Sequence, residues 1–551
     1  MFKNLFSGRR GRNLKEYLTG YAMIAPAVVL IFTFGIFPVF FALYVSLQKW
    51  RIKKGDFIGL ANYEKAVGNL IYIVLFALSI AAFVAIYVII HRVIQTASEY
   101  KENPWLFIIP GFFHAAAALA FLRWIITLLP EVLAIADIII GLEKTRSLFL
   151  DLLGDAFTTE NVLSTWRALI ILAVIALIVG MVTGRLKPEP RNIYYQSNFG
   201  LAWFTGAIGL LLGYFTYQSV ANQYQLALET GVDPGIWPQV ITISSGVILL
   251  GLAWKVWGTA SNQTSNRAFW FRLIAALVLM VGGWLMISEI PVLLAAGDED
   301  VWVGLKTTVF YSVGTIPFQL AFSIFLAILL FQRIRGSELF RMLFFLPYVT
   351  PAVASAAVFK QLFSTRPQAP INQALITMGI EPLKWLNEPA GVFVILAEKI
   401  GLSIPEWAGG PSLALVVIMI FSIWTFVGYN TVIYLAGLGN IPTELHEAAE
   451  IDGAGRWQVF RHITLPLLSP TTYFLTLIAV IGTFKAFNHI WVMRQDLALG
   501  TTDTFSVVIF LEFFEKLQYG YASALAFVLF AVILSLTYIN NRVQGSRVFY
   551  G

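Results

Sequence analysis

Thr425, Asn430, Thr483, Lys485 and Asn488 stand inside runs that are otherwise almost wholly apolar. A polar group in hydrocarbon costs free energy unless a neighbour bonds it or it faces a wet path. Thr and Asn meet that need in two ways, by bonding across helices or by lining a path. Lys485 stands apart from them. An ionisable group at such depth marks a functional site by default, the alternative being a side chain that snorkels to an interface. The chemistry open to this set is the binding and passage of a solute. Bond-making chemistry has no comparable set, since neither paired catalytic carboxylates nor a nucleophile triad is present. His91, His114, His446, His462 and His489 do not fall at metal-ligand spacings. With no cysteine, disulfides, thiol catalysis and cysteine–zinc sites are excluded. No Gly-x-x-x-x-Gly-Lys-Ser/Thr stretch occurs, so the chain is expected to bind no ATP and to hold no cofactor or metal of its own.

A second set lies in 441–466, between two apolar runs. Read physically, it is a helix, a turn and a second helix outside the apolar phase. Thr443 can cap the first helix, and Glu444 falls where the helix dipole favours negative charge. Ala448 and Ala449 keep one face small, and Gly453 ends the helix or permits a tight turn. Pro466 sits where the next run begins and a missing N–H matters least. A small-faced helix with a fixed turn suits a protrusion that seats in a partner's groove. An ordinary amphipathic loop helix is the plainer alternative.

The elements that must hold both sets follow from composition. The chain has 551 residues, 58% of them hydrophobic and 12% charged, with a mean hydropathy of +0.76. That is too little charge to cover the surfaces of several soluble domains, and lipid is the solvent that suits it. A transmembrane helix needs about 20 largely apolar residues. Twelve such stretches are expected, near 21–47, 70–91, 105–128, 166–184, 198–218, 239–257, 268–296, 305–331, 343–363, 411–438, 471–493 and 521–541. The shorter apolar piece 132–142 reads as interfacial or re-entrant. The basic start is followed by a run long enough to remain in the bilayer, so no cleaved leader is expected.

Charge alternates between successive loops. His91, Arg92 and Lys101 fall in one set of loops, as do Arg185, Lys187 and Arg191, then Arg267 and Arg272. Arg333, Arg335 and Arg341 continue that set, followed by Arg456, Arg461, Arg542 and Arg547. The opposite loops carry Glu131, Asp137, Asp151, Asp155 and Glu160, then Glu229 and Asp233, then Asp298, Glu299 and Asp300. Lys and Arg accumulate on the cytoplasmic side. Both termini are therefore expected on the cytoplasmic side. Lys49, Arg51, Lys53 and Lys54 break the pattern. The net charge of +6 fits basic loops and contact with lipid, with no nucleic-acid partner implied.

Three parts follow: 1–67 with the first span, an apolar 68–300 with about six spans, and 301–545, where Pro, Gly and polar residues interrupt the spans. The one Gly209-x-x-x-Gly213 pair is a weak sign of helix packing.

The second set resembles the EAA loop of binding-protein-dependent ABC importer permeases. Glu447-Ala448-Ala449, three residues, Gly453, nine residues, Ile463, one residue, then Leu465-Pro466 meets that pattern throughout. Arg335-Gly336, Phe340-Arg341 and Leu346-Pro347-Tyr348-Val349-Thr350-Pro351 are similar to the family as well, as are Ile371-Asn372-Gln373 and Trp385-Leu386-Asn387. Phe57-Ile58-Gly59-Leu60-Ala61-Asn62-Tyr63 resembles a sugar-permease segment, and about 1–67 and 300–545 together resemble the larger subunit of maltose-type importers.

The resemblance implies an all-α polytopic membrane protein whose C-terminal part is a MetI-like transmembrane domain. It implies that Glu447, Ala448, Ala449, Asp452, Gly453, Ile463, Leu465 and Pro466 couple to an ATPase. Tyr348 and Tyr429 match sugar-contacting tyrosines, with Asn430, Thr483 and Lys485 beside them on the path. Phe426 and Thr483 depart from the family member, as does the apolar 68–300 where a soluble insert would stand. The implied partners are a second permease, an ATP-binding-cassette ATPase dimer that carries ATP and magnesium, an extracytoplasmic solute-binding protein and a sugar. The expected function is the permease subunit of an ATP-driven sugar importer, itself no enzyme. A permease for a non-sugar solute and a twelve-span secondary transporter are the rivals, though the two halves show no repeat.

Overall fold

In the computed structural model the chain is helical nearly throughout. Residues 8–143, 145–231, 235–260, 266–288, 290, 297–332, 335–405 and 408–544 are described. Arg333, Asp233, Arg547 and the end of the 268–296 span lie outside them. Among the described residues no strand forms; two isolated bridges join Gln48 to Phe57 and Gly391 to Ser412. A chain this apolar has little choice, because in lipid a helix satisfies its own backbone. Among the described residues ten helices are long and apolar enough to cross a membrane, or up to twelve if each of two bent pairs is one span.

Three sequence expectations need correction. The 343–363 span is two helices, Ser337–Val349 and Ala352–Leu362, meeting at 94°. Pro351 has no N–H to give, and it holds Thr350 extended at the break. The 471–493 span stops at Phe484, and a short helix, Asn488–Met493, follows. Ser506 Oγ donates to the Phe484 carbonyl near that break. The 132–142 piece is no separate element. Helix Ile108–Ile138 runs through Pro130 into it, and at about 1.5 Å per residue the helix is longer than the hydrocarbon core is thick.

The chain divides into two compact units, Met1–Gly68 with Ala295–Gly551, and Asn69–Leu294. In the first unit, helix Leu413–Gly439 is the centre: 61% of its most apolar window is buried, against 33% or less for every other unbroken candidate span. Helix Glu299–Phe331 packs along it. That helix carries Thr308, Ser312, Thr315, Gln319 and Ser323, all buried, on one face at helical spacing. Ser323 Oγ donates to the Val427 carbonyl at 2.9 Å, and Thr431 Oγ1 donates to the Ser323 carbonyl at 3.4 Å. Small polar residues thus hold the two helices where lipid gives no hydrophobic drive. Outside the spans, the buried Asn372 takes hydrogen bonds from the Leu383 N–H and Trp385 Nε1. Its amide donates to the carbonyls of Ser364, Arg366 and Leu383.

The second unit has six long helices among the described residues: Leu70–Tyr100, Ile108–Ile138, Glu160–Leu186, Asn192–Thr230, Ile236–Ala260 and Asn266–Ile287. A thirteen-residue helix, Arg146–Thr158, was not legible as a span. Gly209 and Gly213 do bring two helices together. A Cβ at Gly209 would meet Ala82 Cβ at 2.9 Å, and one at Gly213 would meet Ser79 Oγ at 3.0 Å. Ser79 Oγ uses that closeness to donate to the Gly209 carbonyl at 2.8 Å. Near helix ends, Glu102 accepts from Arg191 Nη1 at 3.3 Å and from the Tyr195 hydroxyl at 2.5 Å.

Candidate functional site

The loop 440–468 has two limbs. The first is helix Thr443–Ile451, none of whose residues is buried. Its cap position is Pro442, and no side chain caps it, so Thr443 is the first helical residue instead of the cap. Glu444 does lie in the first turn. Gly453 closes the helix at φ +80°, a left-handed conformation that favours glycine. The Gly453 N–H bonds the Glu450 carbonyl and the Ala454 N–H bonds the Ala449 carbonyl. The second limb is helix Arg456–Val459, a π turn Phe460–Thr464 and the short Leu465–Leu467. Gln458 Oε1 accepts from the Gly455 N–H at 2.7 Å and starts it. His446 Nε2 meets Thr464 Oγ1 at 3.3 Å and ties the limbs together.

Of the eight residues expected to couple, Glu447, Ala448, Asp452, Gly453, Leu465 and Pro466 are exposed, while Ala449 and Ile463 are half-buried. Glu447, Ala448 and Ala449 belong to the first limb, Asp452 and Gly453 to the turn, and Ile463, Leu465 and Pro466 to the second limb. Nearby Ile451 is 86% exposed and Trp457 67%. Apolar side chains held in the open on a rigid loop fit a surface that meets a partner.

The second place is a cavity of about 350 Å³ within the first unit. It takes in the five residues that the resemblance sets on the path, Tyr348, Tyr429, Asn430, Thr483 and Lys485, together with Asn488. Tyr348 comes from helix Ser337–Val349, just before the 94° bend. Tyr429 and Asn430 come from the central helix, and Thr483 and Lys485 from the end of helix Ser469–Phe484. The tyrosine rings stack, with centroids 4.4 Å apart and 22° between planes. Gly428 permits this, because a Cβ there would fall on the Phe344 carbonyl. Phe426 adds an edge contact to Tyr348 at 5.9 Å. Thr483 Oγ1 accepts from Ser312 Oγ at 2.8 Å, so part of its polarity joins helices. Thr425 is buried, bonds the Phe421 carbonyl of its own helix and does not reach the cavity.

Sequence reading missed Gln319, Ser422, Tyr311 and His489, which also line the cavity. The Tyr311 hydroxyl and His489 Nε2 share a hydrogen bond of 2.8 Å. The polar stripe ending at Gln319 and Ser323 was the available signal. Gln319 and Asn430 are buried, and among the described residues neither amide has a hydrogen-bond partner. A wall that pairs stacked aromatic faces with open amides, a hydroxyl and a cation can hold a polar solute that has one apolar face.

Residues 319–548 match the family model described as binding-protein-dependent transport system inner membrane component. The probable ABC transporter permease protein YesP of Bacillus subtilis is 32% identical over 257 residues, 46% of this chain and 75% of that one. The lactose transport system permease protein LacF of Rhizobium radiobacter is 31% identical over 256 residues, 45% of this chain and 78% of that one. A bacterial alginate ABC transporter crystal structure has a chain matching at 21% identity and a TM-score of 0.39, covering 51% of this chain and 96% of that chain. The chain belongs to the family of binding-protein-dependent ABC transporter permeases, multi-pass components of the inner membrane.

Proposed function

We propose that this permease is one half of the membrane channel of an ATP-driven importer for a sugar or oligosaccharide. The observation that carries the reading is the stacked Tyr348–Tyr429 pair in a cavity that also presents Asn430, Thr483 and Lys485. A sugar ring has an apolar face for an aromatic surface and hydroxyls for amides and hydroxyls. Relatives named for lactose and for arabinooligosaccharide transport support the substrate class.

In this reading a second, related permease completes the path. An ATPase dimer, which holds ATP and magnesium, receives one exposed 440–468 loop from each permease. A solute-binding protein delivers the sugar on the outer side, and both termini of this chain are cytoplasmic. Nucleotide acts through its different affinity for the two states of the complex. Residues 68–300 add about six spans to the permease formed by 1–67 and 301–545.

Affinity purification of the tagged chain from its native membrane tests the assembly. A nucleotide-binding ATPase and a second permease should co-purify, and the complex should bind a labelled oligosaccharide. A chain that comes down alone and transports without ATP overturns the reading.

A further inference from the structure

The electrostatics of the cavity narrow the solute further, on the footing that it is a sugar. The lining contains no aspartate or glutamate among the described residues. It contains one lysine, Lys485, which has no ion-pair or hydrogen-bond partner for its ammonium among the described residues. His489 is engaged by the Tyr311 hydroxyl. Lys485 follows the last residue of helix Ser469–Phe484, and the chain breaks there before Asn488–Met493. The break places the lysine at the cavity wall. A cation near a helix C-terminus is favoured by the dipole. That preference explains a lysine at the helix end, but it leaves the carboxylate-free lining beside it unexplained. Lys485 is exposed at this wall, and neither the described lining residues nor a neutral sugar supplies a counter-charge to its ammonium.

We infer that the transported oligosaccharide carries a carboxylate, as a uronic-acid-bearing sugar does, and that Lys485 pairs with it while the Tyr348–Tyr429 stack holds a ring. One ammonium balances one carboxylate. A phosphate dianion calls for more donors, usually an arginine fork, and the cavity has no arginine. Asn430 and Gln319 are within the same wall to take hydroxyl groups.

The test uses the complex purified from native membrane and a set of neutral oligosaccharides, each paired with its C6-oxidised monocarboxylate of the same linkage and length. Binding is measured for the wild type, Lys485→Gln and Lys485→Arg. The acidic member of the bound pair should be favoured by roughly tenfold, in line with one charge-assisted contact. Lys485→Gln should abolish that preference, and Lys485→Arg should restore much of it. Equal binding of both members, or a preference that survives Lys485→Gln, overturns the inference and leaves the sugar reading intact. Complex that binds no sugar of either kind overturns both. Adding salt should weaken only the acidic member's binding; an equal effect on both counts against the ion pair.

Discussion

The two units are built from the same material to opposite ends. The second unit uses long unbroken helices, with polar groups spent on fastening: Ser79 onto Gly209, and Arg191 and Tyr195 onto Glu102. The first unit breaks its helices at Pro351, at Leu468 and after Phe484, and gathers polar groups around the breaks. Helix interruptions are tolerated at membrane depth only where protein or a cavity covers them. The cavity lies where broken helices meet the unbroken helices Leu413–Gly439 and Glu299–Phe331, so the breaks mark the place where a solute can be held.

The sharpest way to break that comparison is to crowd a helix contact in each unit. Gly428→Leu drives a side chain into the Phe344 carbonyl. It should destabilise the protein by about 3 kcal/mol and abolish sugar binding, read by thermal unfolding in detergent and by equilibrium binding. Next in size is the loop. Gly453→Trp should lower uptake by roughly 100-fold, near the top of known coupling energies, while the protein still inserts and binds sugar. A Cβ there meets nothing within 4 Å, so Gly453→Ala should cost only about 1 kcal/mol of backbone strain. Normal transport by the Trp variant would remove the loop from the mechanism.

Gly209→Leu in the second unit should cost about 1–3 kcal/mol of stability and leave sugar affinity where it was, because the seam holds no part of the cavity. A large change in affinity would mean that the unbroken unit does more than support. Tyr429→Ala should weaken sugar binding by about 1 kcal/mol, the worth of an aromatic stack, with little change in unfolding temperature.

The smallest effect is one of pH. Glu512 holds the Lys516 ammonium at 2.7 Å and raises its pKa above 10.5. A raised folded value gives stability that is full below 10.5 and lost as pH rises through the folded pKa. Alkaline unfolding should therefore begin later in the wild type than in Lys516→Met, by a few tenths of a kcal/mol at this half-exposed site.

The loop was legible because its spacing is fixed: Glu447 to Gly453 to Pro466 must close one turn and start the next limb. Of the twelve expected spans, ten are unbroken helices among the described residues, legible from hydropathy, which averages over about 20 residues. That same averaging hid the breaks at Pro351 and after Phe484. It also hid Gln319, whose polar stripe of Thr308, Ser312 and Thr315 is diluted by leucine and phenylalanine around it. Thr443 was read as a cap from residue preference, but Pro442 takes that position because its fixed φ already suits a helix start. Gly209 and Gly213 looked weak alone, since the partner that gives them meaning, Ser79, lies 130 residues away.

The contact between His446 and Thr464 has a mechanical consequence. Without it the 440–468 loop would be two short levers joined at a glycine, and Gly453 would absorb any push as a spring does. In the proposed coupling, a braced loop would act as a crank: a displacement imposed at Glu447 would pass to Pro466, and from there to the 61° elbow before helix Ser469–Phe484, whose far end carries Lys485.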